Sequence, residues 1–186
     1  MKSSETIRAV TSRRTVRAYT DKPLTKEEID TLLTCAMLSP SARNRQPCRV
    51  RGIIEKDVLE ELNTDFKNKV GWDTPAYTRW DVNPVYQTAP AMFFIFADDP
   101  AYMDAGIMVE NMALAAKGLG LDSCIIGSIG ALMNEKEGEK WKAFMGEPAN
   151  AVFQIAIAVG TGSETPEVKP RKTENFTIHT RREKNV

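Results

Sequence analysis

The chain has a single histidine, His179, in 186 residues. That scarcity argues against a His-centred catalytic triad and against a multi-histidine metal site. Cysteine is also sparse: Cys35, Cys48 and Cys124 are odd in number, widely spaced, and form no C-x-x-C pair. Neither a disulfide framework nor a zinc site is expected, and the usage fits a reducing, cytoplasmic compartment. No excess of charge of either sign exists, since Lys+Arg and Asp+Glu both number 25. A general nucleic-acid binder carries a strong basic surplus, so any work done by cations here must be local. The longest apolar run, residues 89–97, is far too short to span a bilayer, and the first fourteen residues lack the apolar stretch of a signal peptide. No dinucleotide-binding G-x-G-x-x-G follows an expected strand, and no phosphate-binding G-x-x-x-x-G-K-[ST] occurs.

What the chain does contain is the size and mixture of one ordinary domain, 42% apolar and 27% charged, with no repeat and no linker. Helices are expected over 4–12, with Ile7 and Val10 on the inner face, and from Thr25 to about Pro40. Thr25 and Glu28 have capping-box spacing ahead of the stripe Ile29, Leu32, Leu33, Ala36. Further helices are expected over 58–68 and 102–117, the latter stopped near Gly118 and Gly120. Asn134 and Glu137 repeat the capping-box spacing before a helix carrying Trp141 and Phe144. Strands are expected over 49–54, 92–97, 121–126 and 152–159. Residues 70–89 are irregular, with Trp72, Tyr77, Trp80 and Tyr86 among Gly and Pro. The alternation lacks the regular spacing of a doubly wound sheet, so one α+β domain with a central sheet and covering helices is the expected fold.

Four segments carry candidate chemistry. SRRTVRAY places Arg13, Arg14, Thr15 and Arg17 together; guanidinium forks match phosphate oxygens, and a solvated basic turn would look the same. SPSARNRQP brings Pro40, Ser41, Asn44 and Gln46 into one stiff loop; its amides suit the edge of a heterocycle, and an ordinary helix-ending turn uses the same residues. Ile126-Gly127 leaves a strand through a residue that permits close backbone approach to a ligand, or a plain turn. Lys169 and Arg171, in VKPRK, add cations that suit a phosphate or a loose basic tail.

Taken in chain order, these segments resemble the FMN-dependent nitroreductase family over nearly the whole sequence. The matching pieces are Arg13-Arg14-Thr15-Val16-Arg17-Ala18-Tyr19, the Ser39-to-Pro47 loop, DAGIMVENMALAAKGLGLDSCIIG, and the late K-P-R. Cys48 stands where the family commonly has an aromatic residue, and Ile125 where many members have Trp. The resemblance implies a mostly antiparallel sheet in an intertwined homodimer, with FMN at the interface and residues 163–186 reaching the partner subunit. It implies that Arg13, Arg14 and Thr15 hold the phosphate and ribityl chain, with Lys169 and Arg171 completing that end. Arg17 would lie by the pyrimidine edge of the ring, Ile126 beside the ring, and the Gly127 N–H near flavin N5. Pro40, Ser41, Asn44 and Gln46 would come from the other subunit, and residues 70–89 would form a lid. The implied activity is ping-pong electron transfer from NADH or NADPH to an electron-poor small molecule such as a nitroaromatic or quinone. A dehalogenase, azoline oxidase or flavin-destroying enzyme of the same fold, or a flavin sensor or carrier, would share these residues. No nucleic acid, membrane or metal is expected.

Overall fold

The run AMFFIFA is wholly buried because its strand is covered on both faces. In the computed structural model, which describes residues 4–73 and 84–178, this strand is β2 (Ala91–Ala97). It lies between β1 (Arg49–Ile53) and β4 (Val152–Gly160), and β3 (Asp122–Ile126) closes the order β1-β2-β4-β3, with every pairing antiparallel. The period of two sorts its side chains. Met92, Phe94 and Phe96 face a core built from Leu59, Leu62, Phe66, Trp141 and Phe153. Ala91, Phe93 and Ile95 face Leu32, Ala36, Val109, Met112 and Ala116. The first layer comes from α3 (Lys56–Val70) and the short α5 (Gly130–Met133) and α6 (Glu139–Phe144); the second comes from α2 (Lys26–Met37) packed on α4 (Tyr102–Gly118).

One irregularity fixes the start of α4. Between Ile95 and Phe96 the register with β4 shifts, so Gln154 has no partner across the ladder. Its buried amide is nonetheless satisfied: Oε1 accepts from Ala101 N at 2.8 Å, and Nε2 donates to the carbonyls of Val152 at 3.0 Å and Asp99 at 3.3 Å. The bulge thus ties β4 to the turn that launches α4. That helix ends in a Gly120 with φ of +76°, where the Leu121 N–H reaches back to the Ala116 carbonyl at 2.8 Å.

The α+β class and the expected strands stand, with ends moved by a residue or so. The Thr25–Glu28 capping box is present: Thr25 N donates to Glu28 Oε2 at 2.6 Å, and Glu28 N to Thr25 Oγ1 at 3.2 Å. The second box is not. Asn134 accepts from Phe153 N at 2.9 Å and donates to its carbonyl at 3.4 Å, while Glu137 pairs with Lys69 at 2.9 Å. Tertiary partners took both side chains. The first helix, α1 (Glu5–Ser12), is capped by Ser4, but Ile7 and Val10 are about half exposed, so among the described residues its apolar face is only partly covered. Of the four aromatics in 70–89, Tyr86 is core and Trp72 is exposed; Tyr77 and Trp80 lie outside the described residues, as does His179.

A charged cluster braces one end of the sheet. Glu147, its side chain fully buried, takes Arg49 and Arg51 at 2.8 Å each, and Arg49 also pairs with Asp98 at 2.8 Å. The hydrogen bond to Glu147 raises the Arg49 pKa further above its ordinary value. Removing the shared carboxylate would leave Arg49 with Asp98 and Arg51 with the Met145 and Val50 carbonyls, so Glu147→Ala is expected to cost about 3 kcal/mol in urea unfolding. The capping box gives a pH-dependent contribution. The backbone N–H of Thr25 holds the Glu28 pKa below its ordinary 4.5. Its stabilisation is therefore present above that value and lost as pH falls through the lower folded value. In Glu28→Ala protein, the fall in melting temperature relative to the parent should be largest near neutrality and shrink in acid.

Candidate functional site: a cationic groove at the sheet edge and an amide-bearing loop

The arginine segment extends the sheet at its β3 edge. Thr15 pairs in parallel with Ser123, and Val16 N donates to the Ser123 carbonyl at 3.1 Å. The chain then switches partner. Tyr19 pairs with Gly162, Thr20 N donates to the Thr161 carbonyl at 2.9 Å, and Ser163 N to the Ala18 carbonyl at 2.8 Å. Val16 and Tyr19 are buried anchors, and the Tyr19 hydroxyl donates to the Val16 carbonyl at 2.7 Å. This fit requires two glycines, one at the end of β4 and one just beyond it. A Cβ on Gly160 would stand 2.5 Å from Pro90 and 3.1 Å from Tyr19; one on Gly162 would stand 2.6 Å from Asp122 and 3.1 Å from Val16.

With Val16 and Tyr19 inside, Arg14, Thr15 and Arg17 line a groove of about 320 Å³ together with Glu164, Pro166, Glu167, Lys169 and Arg171. Four cations face two carboxylates there, so the groove is locally positive in a neutral chain. Arg14 donates through Nη1 to the Thr11 carbonyl at 2.9 Å and the Arg13 carbonyl at 2.7 Å, yet its buried Nε has no acceptor. Those two bonds hold the Arg14 guanidinium in place at the groove wall. Arg13 is turned the other way: its Nε is 3.5 Å from Glu110 on α4, and it does not line the groove.

The Ser39-to-Pro47 loop shapes a second cavity of about 220 Å³, lined by Pro40, Ser41, Gln46, Cys48, Asp104 and apolar residues of α2 and α4. It shares no lining residue with the groove. Arg43, Asn44 and Gln46 all adopt positive φ, at 55°, 53° and 49°, a conformation that costs energy outside glycine. Side chains hold it: Gln46 N donates to Ser41 Oγ at 2.9 Å, Gln46 Nε2 to Asn44 Oδ1 at 3.0 Å, and Ala42 N to Asp104 Oδ1 at 3.1 Å. Strain retained at an amide-bearing loop is a common mark of a binding element.

The structure thus brings five of the expected residues, Arg14, Thr15, Arg17, Lys169 and Arg171, into one groove, and leaves Pro40, Ser41, Asn44 and Gln46 in a separate loop and Arg13 outside both. Ile126 is buried in the core, its neighbour Ile125 is partly exposed, and Gly127 is exposed at the strand end. Sequence reasoning missed Glu164, whose carboxylate accepts from Arg17 N, and Asp104, which holds the loop. It also missed the Gly160-Thr161-Gly162 step, whose small residues beside the last core strand were the available signal.

Fold and groove together define an α+β protein with a cationic edge beside its central sheet. The family model described as Nitroreductase family matches residues 10–161, and the chain belongs to that family. It is therefore a nitroreductase-like oxidoreductase. The NADPH-flavin oxidoreductase of Vibrio harveyi is 23% identical over 185 residues, covering 95% of this chain and 73% of that protein. A nitroreductase of Bacteroides fragilis NCTC 9343, solved with bound FMN, is similar in fold with a TM-score of 0.86 at 24% identity, covering 96% of this chain and 100% of that one. A nitroreductase of Desulfitobacterium hafniense DCB-2, also solved with bound FMN, gives a TM-score of 0.87 at 23% identity, with the same coverage.

Cys48 reports on the loop cavity. Burial first, and the Asp104 carboxylate second, push its thiol above the ordinary 9.0, while Arg49 opposes them. Thiolate is the reactive form. Alkylation of Cys48 by iodoacetamide, followed by peptide mass spectrometry, should keep accelerating past pH 9.0; a rate that levels off below that value would contradict the assignment.

Proposed function

We propose that the protein is an FMN-dependent NAD(P)H oxidoreductase acting on an electron-poor small molecule such as a nitroaromatic or quinone. The observation that carries this reading is the groove in which Arg14, Arg17, Lys169 and Arg171 face two carboxylates, in a chain of neutral net charge. The residues fit the group: a phosphate dianion rewards convergent Arg, Lys and hydroxyl donors, and Arg14, Thr15, Lys169 and Arg171 supply them. Arg13 pairs with Glu110 and does not line the groove of its own chain, so a phosphate role for it would require that side chain to turn. Arg17 would set a fixed cation beside the redox ring, favouring its electron-rich form. The Gly127 N–H would stand at the ring from the end of β3, with the Ile126 side chain in the core beneath. Bound FMN would supply the two-electron chemistry, linking NAD(P)H oxidation to acceptor reduction in two half-reactions at one face. The remaining work of the chain is binding, orientation and electrostatics.

The reading includes a homodimer. The loop residues Pro40, Ser41, Asn44 and Gln46 do not line the groove of their own chain, so a second copy would bring them to it. Ile7 and Val10 on α1, Met37 and Leu38 at the end of α2, and Tyr102, Met103 and Ile107 on α4 are all exposed. An unpartnered apolar surface of this extent calls for cover. Val168, Phe176 and Ile178 are exposed along the tail, in keeping with a segment that lies on the partner. Residues 70–89 remain the proposed lid.

A visible spectrum followed by anaerobic titration with NADH and with NADPH tests cofactor and reductant together. Purified protein should be yellow, or become so with added FMN, and lose the colour with a reduced nucleotide; failure to take up flavin sinks the reading. Arg14→Ala should weaken FMN binding about tenfold or more, because a hydrogen-bonded cation at a phosphate is removed. Binding should also weaken with added salt, and sedimentation should give twice the chain mass.

A further inference from the structure

A carboxylate in a groove proposed to hold a dianion is a repulsive group unless it does something else. Glu164 is such a group, and it sits where the sheet-edge segment changes partner. Before it, Val16 N is paired with Ser123 of β3; after it, Ala18 and Thr20 are paired with residues 161–163. Arg17 N falls between the two ladders and, among the described residues, belongs to neither. The Glu164 side chain accepts from it. The side chain thus replaces a missing backbone acceptor at the residue that follows the buried Val16 and precedes the paired Ala18. Glu164 also lies near the buried groups beneath the groove: it contributes to raising the Cys124 and Tyr19 pKa values, after burial as the main cause.

We infer that Glu164 is a positioning residue, a side-chain clamp that holds the Arg17 backbone and so sets the Arg14-to-Arg17 wall of the groove. The role needs an acceptor oxygen and not a negative charge. A glutamine keeps the oxygen and removes the charge; an alanine removes both. This inference rests on the proposed FMN site for its binding readout and stands apart from it for its structural one.

The test uses the full chain and the variants Glu164→Ala and Glu164→Gln. Amide exchange by NMR is followed at Arg17 in flavin-free protein, and FMN affinity is measured by fluorescence quenching. Glu164→Ala should speed exchange of the Arg17 amide and weaken FMN binding, each by about tenfold, while Glu164→Gln stays within about threefold of the parent in both. Amides of the central strands β2 and β4 should keep parental exchange in both variants. Parental Arg17 exchange in the alanine variant overturns the clamp. So does tighter FMN binding in both variants, which would show the carboxylate acting only as a charge. Equal acceleration across β2 and β4 also overturns it, since that is a general loss of fold. Should the parent itself take up no FMN, the cofactor reading fails, and the exchange measurements still decide the clamp.

Discussion

The site depends on a few backbone hydrogen bonds that fasten residues 15–20 along the outer edge of β3 and the exit of β4. An edge strand offers unpaired donors and acceptors, and here they are occupied by a segment from the other end of the chain. Because one face of that segment is buried through Val16 and Tyr19, its polar residues are held in a fixed arrangement at the surface. The long-range pairing converts a sequence cluster of arginines into a groove wall. Without it they would be a solvated basic turn.

The edge can be built this way because the sheet behind it is rigid. β2 and β4 are covered on both faces, and their alternating side chains enter two separate cores. Aromatic edge contacts add definition on one side, where Phe153 meets Phe94 at 6.5 Å and Phe96 at 5.9 Å between ring centroids. The Gln154 bulge and the Asn134–Phe153 bonds attach surface turns to the same strand. Groove, bulge and strand end are thereby referred to one frame.

Charge is handled differently in different places. At the buried end of the sheet, Glu147 is surrounded by the cations it needs. In the groove, cations outnumber carboxylates, so a local positive charge persists at the surface of a neutral chain. The strained Ser39-to-Pro47 loop is held by Asp104 but open on its cavity side.

Much of this was legible locally. The apolar run 92–97 announced a strand, Thr25 and Glu28 announced a helix start, and the arginine, amide-loop and VKPRK segments named groups suited to a phosphate and a heterocycle. Those signals are short-range, carried by periodicity, capping geometry and residue chemistry. What they did not determine was which segments meet. Asn134 left its expected cap for Phe153, Ile7 and Val10 stayed about half exposed, Arg13 turned to Glu110 instead of joining Arg14, and Glu164 closed a ladder across 147 positions of sequence. Each outcome depends on which partner is nearest after the chain has folded. The sequence by itself determined the elements and the chemistry on offer; tertiary structure decided the partners, because a hydrogen bond or ion pair forms with whatever group the fold brings within reach.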